Sequence, residues 1–179
     1  MKTLILVDIQ KDYFPGGRME LVGALEASLA AQKLLSHFRL KHWPIIHVQH
    51  VAKKPEATFF LPKTVGVEIH DHVKPIASEI VVTKHFPNGF RETELLKKLE
   101  TSHVESLVIA GMMTHMCIDA TTRAAADLGF DCAVVHDACA TRDLTFENTV
   151  VPARQVHGAF LAALASGYAN VVSTETLLD

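Results

Sequence analysis

Cysteine is scarce: three residues in 179 are too few, and odd in number, for a disulfide framework. Charge of one sign is also missing. Seventeen basic against twenty acidic residues leave a net charge of −3, which provides no electrostatic footprint for a polyanion and argues against a nucleic-acid partner. No apolar run approaches the roughly 20 residues that a membrane-spanning helix needs, so no membrane role is expected. Met1-Lys2-Thr3 leads directly into a strand-like run rather than a signal-peptide pattern, and a cytoplasmic protein is expected. A G-x-G-x-x-G loop is absent, so no nucleotide cofactor is expected. Nine glycines and seven prolines leave no repeat, linker or low-complexity stretch. What remains is 49% hydrophobic residues with low net charge, too apolar for a disordered chain and of the length of one domain spanning 1–179.

Six short, nearly continuous apolar runs punctuate the chain: Leu4–Val7, Ile45–Val48, Ile80–Thr83, Leu107–Ala110, Cys132–Val135 and Asn170–Val172. Runs of this kind belong to strands buried on both faces of a parallel sheet. Helical patterns lie between them. Ala24 to about Lys41 carries apolar residues at 25, 29, 34, 35 and 38 and stops before Pro44. Thr93 to Leu99 is a second pattern, with Thr93 as a cap. Thr114 to Leu128 is a third, ended by Gly129, and Val150 to Ala165 a fourth, with Pro152 in its first turn. Alternation of this sort predicts βαβ crossovers and an open α/β/α sandwich around a six-stranded, mainly parallel sheet. The aperiodic segment 52–79, with three prolines, reads as a long functional or mobile loop.

Ligands of such sheets bind beyond the carboxyl ends of the strands, so the residues that end each strand are the ones to inspect. The first strand ends at Asp8, the third at Lys84, and the fourth runs through Gly111 into a turn that holds Cys117. A carboxylate or an ammonium at the end of a buried strand is costly unless it is paired or functional. Together an acid, an amine and a thiol suit nucleophilic attack on a carbonyl. Cys117 falls in the first turn of its helix, where the dipole and a nearby Lys84 would favour a negative sulfur. Asp8 could take the thiol proton and later return it to a leaving nitrogen. Each residue alone has a plainer reading, a turn-capping acid or a small core thiol.

The segments LVDIQKDYF, VVTKHFPNGFRETEL and LVIAGMMTHMCIDATTRAA, in that order and on those strands, resemble the signatures of the isochorismatase-like cysteine hydrolases. VVHDACATRD and the last strand extend the resemblance over nearly the whole chain. It implies a six-stranded three-layer α/β/α fold and a triad with Asp8 as general base, Lys84 as its cationic partner and Cys117 as nucleophile. It further implies a cis peptide at Met112–Met113, with the Met113 and Cys117 amides as an oxyanion hole. A small amide, carbamoyl or ureide substrate cleaved through a thioester is the expected reaction, and a homo-oligomer, dimer or tetramer, the expected assembly.

Nicotinamidases in that family carry a metal on an Asp and several His after the second strand. HVQHVAKKPEATFF lacks the Asp-x-His arrangement, His47 and His50 point to opposite faces of a strand, and His70 with His72 has no third ligand. No metal and no other cofactor are therefore expected. Tyr13, Phe14, Phe86 and Phe90 flank the triad in sequence and read as pocket lining or as core aromatics. Arg142, beyond the fifth strand, could bind a substrate carboxylate, join a subunit contact or simply face solvent. Gln10 and Asp12 would order the loop after the first strand, while Cys132 and Cys139 read as structural. The competing readings are a catalytically silent binding or scaffold protein of the same fold and a vinyl ether hydrolase of the isochorismate type. The latter reaction needs no thiolate, so Cys117 favours carbon–nitrogen hydrolysis.

Overall fold

In the computed structural model, which describes residues 2–179, the apolar runs become β1 (Lys2–Val7), β2 (Ile45–His50), β3 (Ile80–Lys84), β4 (Ser106–Met112) and β5 (Asp131–Ala140). A hairpin of β6 (Leu144–Phe146) and β7 (Thr149–Val151) follows, and β8 (Asn170–Val172) completes the main sheet. All six of its strands are parallel, in the order β3-β2-β1-β4-β5-β8.

The central strands are apolar on both sides because both sides are covered. Leu4 and Leu6 of β1 and Val108 and Ala110 of β4 face a core shared with α1 (Ala24–Leu40). Leu177 and Leu178, the last two residues of α5 (Thr174–Leu178), pack on the same cluster. Ile5 and Val7 of β1 and Leu107 and Ile109 of β4 face the opposite core. That core is closed by α2 (Leu95–Thr101), α3 (Asp119–Asp127) and α4 (Ala153–Ala165) through Leu95, Leu99, Ala125, Leu161 and Leu164. The result is a three-layer α/β/α sandwich.

In this strand order the chain reverses direction of travel across the sheet between β1 and β4. A crevice opens at such a switch point, beyond the carboxyl ends of the two strands. Gly111 keeps the two strands tight there. At φ 135° it adopts a backbone that side-chain-bearing residues avoid, and a Cβ would lie 2.0 Å from the Val7 carbonyl oxygen. The β4–β5 register also shifts between Ile109 and Gly111.

Three sequence expectations need correction. Leu25 and Leu29 of α1 are exposed, because the helix lies on β5 and β4 through Ala24, Ala27 and Ala31 before Leu34, Leu35 and Phe38 take over. Alanines let the backbone approach the sheet closely and turn the two leucines outward. The fourth helix begins at Ala153, since Val150 and Val151 pair in the hairpin and Pro152 ends it. Segment 52–79 is held rather than loose: it contains two short 3₁₀ turns, Val65–Val67 and Asp71–Val73, a buried Phe60, and a bridge from Ile69 to Gln10. Among the described residues no helix is long and apolar enough to cross a membrane.

Candidate active site

Asp8 follows β1 in a left-handed conformation, φ 52°, which aspartate tolerates better than most residues. Its N–H donates to the Val48 carbonyl at 2.9 Å. Lys84 is the last residue of β3. Cys117 rides on a single π-helical turn, Thr114–Ile118, that leaves β4 and runs into α3. Single turns of this kind recur at functional sites. The Met113 carbonyl closes the turn by accepting from the N–H groups of Met116 and Ile118, and the Met112–Met113 peptide is cis.

These three strand ends converge. Lys84 Nζ lies 2.6 Å from Asp8 Oδ2, with both side chains wholly buried, and donates to Cys117 Sγ at 3.2 Å. It also contacts His50 Nδ1 at 3.0 Å and donates to the Phe86 carbonyl at 3.1 Å. Burial alone would depress the Lys84 pKa, but the charges of Asp8 and Cys117 outweigh it and hold the amine above its usual range, as an ammonium. For Cys117 the balance runs the other way. Burial, reinforced by Asp8, pushes the thiol up against the opposing pull of Lys84. The expectation of a sulfur held negative at rest is thus corrected: the thiol is protonated until a base removes its proton.

Loop residues keep this cluster in place. Gln10 Nε2 donates to the carbonyls of His50 and Val67, and Gln10 Oε1 accepts from the His50 N–H. Buried Asp12 accepts from the N–H groups of Phe60 at 2.6 Å and Arg18 at 3.2 Å. Gly66 packs so closely on that carboxylate that a Cβ would fall 2.0 Å from Oδ1. Both residues order the loop after β1, as their sequence positions suggested.

The other candidates are spread more widely. Tyr13 is buried, and burial followed by the charges of Cys117 and Asp8 holds its phenol well above the ordinary range, so it remains protonated. The exposed Arg142 acts electrostatically on Tyr13 and on His115. Phe86 supplies its carbonyl to Lys84 while its ring lies 3.7 Å from the Arg91 guanidinium carbon. Phe90 stacks with Phe130 at 6.3 Å and packs on the apolar layer. Phe14 stacks on His70 at 3.7 Å and lines a cavity of about 470 Å³ with Lys11, Asp12, Arg18 and Thr64; the triad is not part of that lining. All three cysteines are free; burial raises Cys132 to about 11 and Cys139 to about 12.

His50 is the residue that sequence reasoning passed over. It was weighed only as a chelating partner of His47, and the two do diverge, His47 Nε2 meeting Glu79 Oε2 at 2.9 Å instead. The usable signal was strand register, because His50 and Lys84 are paired at the ends of β2 and β3.

Asp8, His50 and Cys117 each offer a ligand atom within 4.8 Å of the others, a spacing compatible with a metal ion. Lys84 Nζ, however, sits against all three, so an ammonium already holds that position and the residues do not fit a metal beside it. Among the described residues no third ligand joins His70 and His72 to make an alternative, and His72 Nδ1 meets Ser28 Oγ at 2.8 Å.

Comparison with known proteins places this geometry in context. The isochorismatase domain profile matches residues 2–176. The isochorismatase family protein YddQ of Bacillus subtilis (strain 168) is 51% identical over 176 residues, covering 98% of each chain. A solved protein from Oleispira antarctica, assigned to the isochorismatase hydrolases, superposes with a TM-score of 0.95 at 50% identity, covering 99% of this chain and 95% of the other. A streptothricin hydrolase of Streptomyces noursei is 32% identical over 146 residues, 80% of this chain and 51% of its own.

Proposed function

The chain belongs to the isochorismatase family, and on that premise we propose that it is a cysteine hydrolase that cleaves a carbon–nitrogen bond of a small amide, carbamoyl or ureide substrate. The observation that carries this reading is the buried contact of one ammonium with both a carboxylate and a thiol, at 2.6 and 3.2 Å, at the switch point of the sheet. The hydrolase named among the relatives supports the class of reaction.

Chemistry follows from the protonation states. Asp8 accepts the thiol proton as Cys117 Sγ bonds to the substrate carbonyl carbon, and the carbonyl π electrons move to oxygen. The Met113 and Cys117 amides face the resulting oxyanion; a donor of this kind is worth about 10²–10³ in rate. As the carbon–nitrogen bond breaks, Asp8 returns the proton to the departing nitrogen and leaves a thioester on Cys117. Asp8 then takes a proton from water, hydroxide adds to the thioester, and the acid departs with the thiol restored. Throughout, Lys84 offsets the negative charge as it moves between carboxylate and sulfur.

The experiment is a panel of small amides, carbamoyl compounds and ureides assayed for release of ammonia or amine. At least one is expected to turn over with wild type and none with Cys117→Ala. Equal turnover by the two proteins would overturn the reading.

A further inference from the structure

Lys84 has more acceptors than it has protons. An ammonium carries three N–H bonds, yet four acceptors lie within 3.2 Å of Nζ: Asp8 Oδ2, His50 Nδ1, the Phe86 carbonyl and Cys117 Sγ. Two of these change charge during the reaction and two do not. We propose that His50 is a positioning residue: with the Phe86 carbonyl it fixes two of the three Lys84 N–H bonds, so that the third can only swing between Asp8 and Cys117. The proposal rests on Cys117 being the nucleophile and Asp8 its base.

Several observations support that role. His50 ends β2 directly opposite Lys84 at the end of β3, so strand register brings the two side chains together. Its backbone is clamped on both sides by Gln10, through N–H and C=O at 2.8 Å each, which fixes where the ring can go. An ammonium has no lone pair, so a contact at Nδ1 requires Nδ1 to accept and places the ring proton on Nε2. The charged and titratable groups around the ring are Lys84, Asp8, Cys117 and His85. Burial first, then Lys84, keeps His50 down at about 4, so the ring is neutral in the working range.

The proton ledger explains why two neutral anchors are useful. While Cys117 carries its proton, the third N–H is directed at the sulfur at 3.2 Å and held beside the Asp8 carboxylate, 2.6 Å away, by charge. Once the proton has moved to Asp8, the sulfur is the stronger anion and holds that N–H more strongly. An ammonium free to rotate would spend much of its time pointed at neither group. Fixing two bonds removes that freedom before the reaction begins.

The test reads Cys117 itself and needs no substrate: the rate of iodoacetamide alkylation across pH, with Cys117→Ala to assign the label and Asp8→Asn to establish dependence on the base. His50→Phe keeps an aromatic ring of similar size but has no acceptor, whereas His50→Asn places an amide oxygen close to Nδ1. His50→Phe is expected to slow alkylation about 10- to 100-fold near neutral pH and to move the pH midpoint upward, with His50→Asn recovering most of both. If His50→Phe does not fold, His50→Ala provides the same comparison, and added imidazole is expected to restore its rate. Wild-type behaviour in His50→Phe or His50→Ala overturns the proposal, as does equal loss in the Phe and Asn variants with unchanged thermal transitions. Wild-type alkylation indifferent to Asp8→Asn would instead remove the nucleophile reading, so the two failures are distinct.

Discussion

Two sets of a carboxylate, a cation and a histidine gather at opposite ends of the β2–β3 pair, and they have opposite characters. Near the start of the strands, Glu79 accepts from Arg39 Nε at 2.7 Å and Nη2 at 2.9 Å, and from the Ile76 N–H at 3.1 Å, while His47 contacts it at 2.9 Å. Arg39 is tied further to the Lys74 carbonyl. At the strand ends, Asp8 and Lys84 meet at 2.6 Å, yet neither Asp8 oxygen completes a well-directed hydrogen bond among the described residues. In the first set the carboxylate is saturated by partners and holds α1 to the sheet. The second leaves its carboxylate with capacity to receive a proton, and a thiol lies beside it. Both obey the rule that buried charges are paired; what separates a brace from a reactive centre is how many lone pairs remain unengaged.

The largest effect expected on this contrast comes from the thiol. Cys117→Ala is expected to abolish turnover while leaving the thermal transition within a few degrees of wild type, measured by calorimetry beside the substrate assay. Next is the base: Asp8→Asn keeps the shape but cannot take a proton, and a loss of roughly 10²–10⁴ in kcat is expected. On the other side of the comparison, Glu79→Gln is expected to cost stability, on the order of 2 kcal/mol, without changing Cys117 alkylation. A variant that slowed alkylation as much as Asp8→Asn does would erase the distinction between the sets.

The pH dependence of folding sharpens it further. Burial would raise Glu79, but its bonds to Arg39, Ile76 N–H and His47 outweigh burial and bring it from 4.5 to about 2. A depressed acid contributes stability that is fully present above its unfolded value and is lost as pH falls through the folded one. Wild type is therefore expected to lose this contribution between about pH 4.5 and 2, and Glu79→Gln to show a flatter acid limb by circular dichroism. The smallest effect belongs to an exposed pair. Replacing Glu68, which meets Lys11 at 2.8 Å near the surface, is expected to change stability by less than about 0.5 kcal/mol.

Much of this architecture was legible in the sequence because it follows from short-range chemistry. Continuous apolar runs such as Leu4–Val7, short and alternating with helical patterns, read as doubly covered strands, and strand ends in such a sheet point at a common crevice, which located Asp8, Lys84 and Cys117. What stayed hidden depended on register or on close approach. His50 required the pairing of β2 with β3. The outward turn of Leu25 and Leu29 required knowing that three alanines seat α1 on the sheet. Burial of the Phe60 region required seeing that Asp12 and Gln10 bind the backbone of a loop some fifty residues away. The resting state of Cys117 reversed its expected sign because burial and Asp8 together exceed the pull of Lys84, a sum that no local motif encodes.

The most direct measurement of the central claim is peptide-resolved alkylation of the folded protein with iodoacetamide. Three cysteines of similar burial are present, at 5%, 8% and 6% exposure for Cys117, Cys132 and Cys139. Accessibility alone therefore predicts comparable labelling. If an adjacent carboxylate and ammonium activate only one of them, Cys117 is modified well before the other two, and Asp8→Asn abolishes that preference. Uniform modification of all three, or a preference that survives Asp8→Asn, would contradict the account.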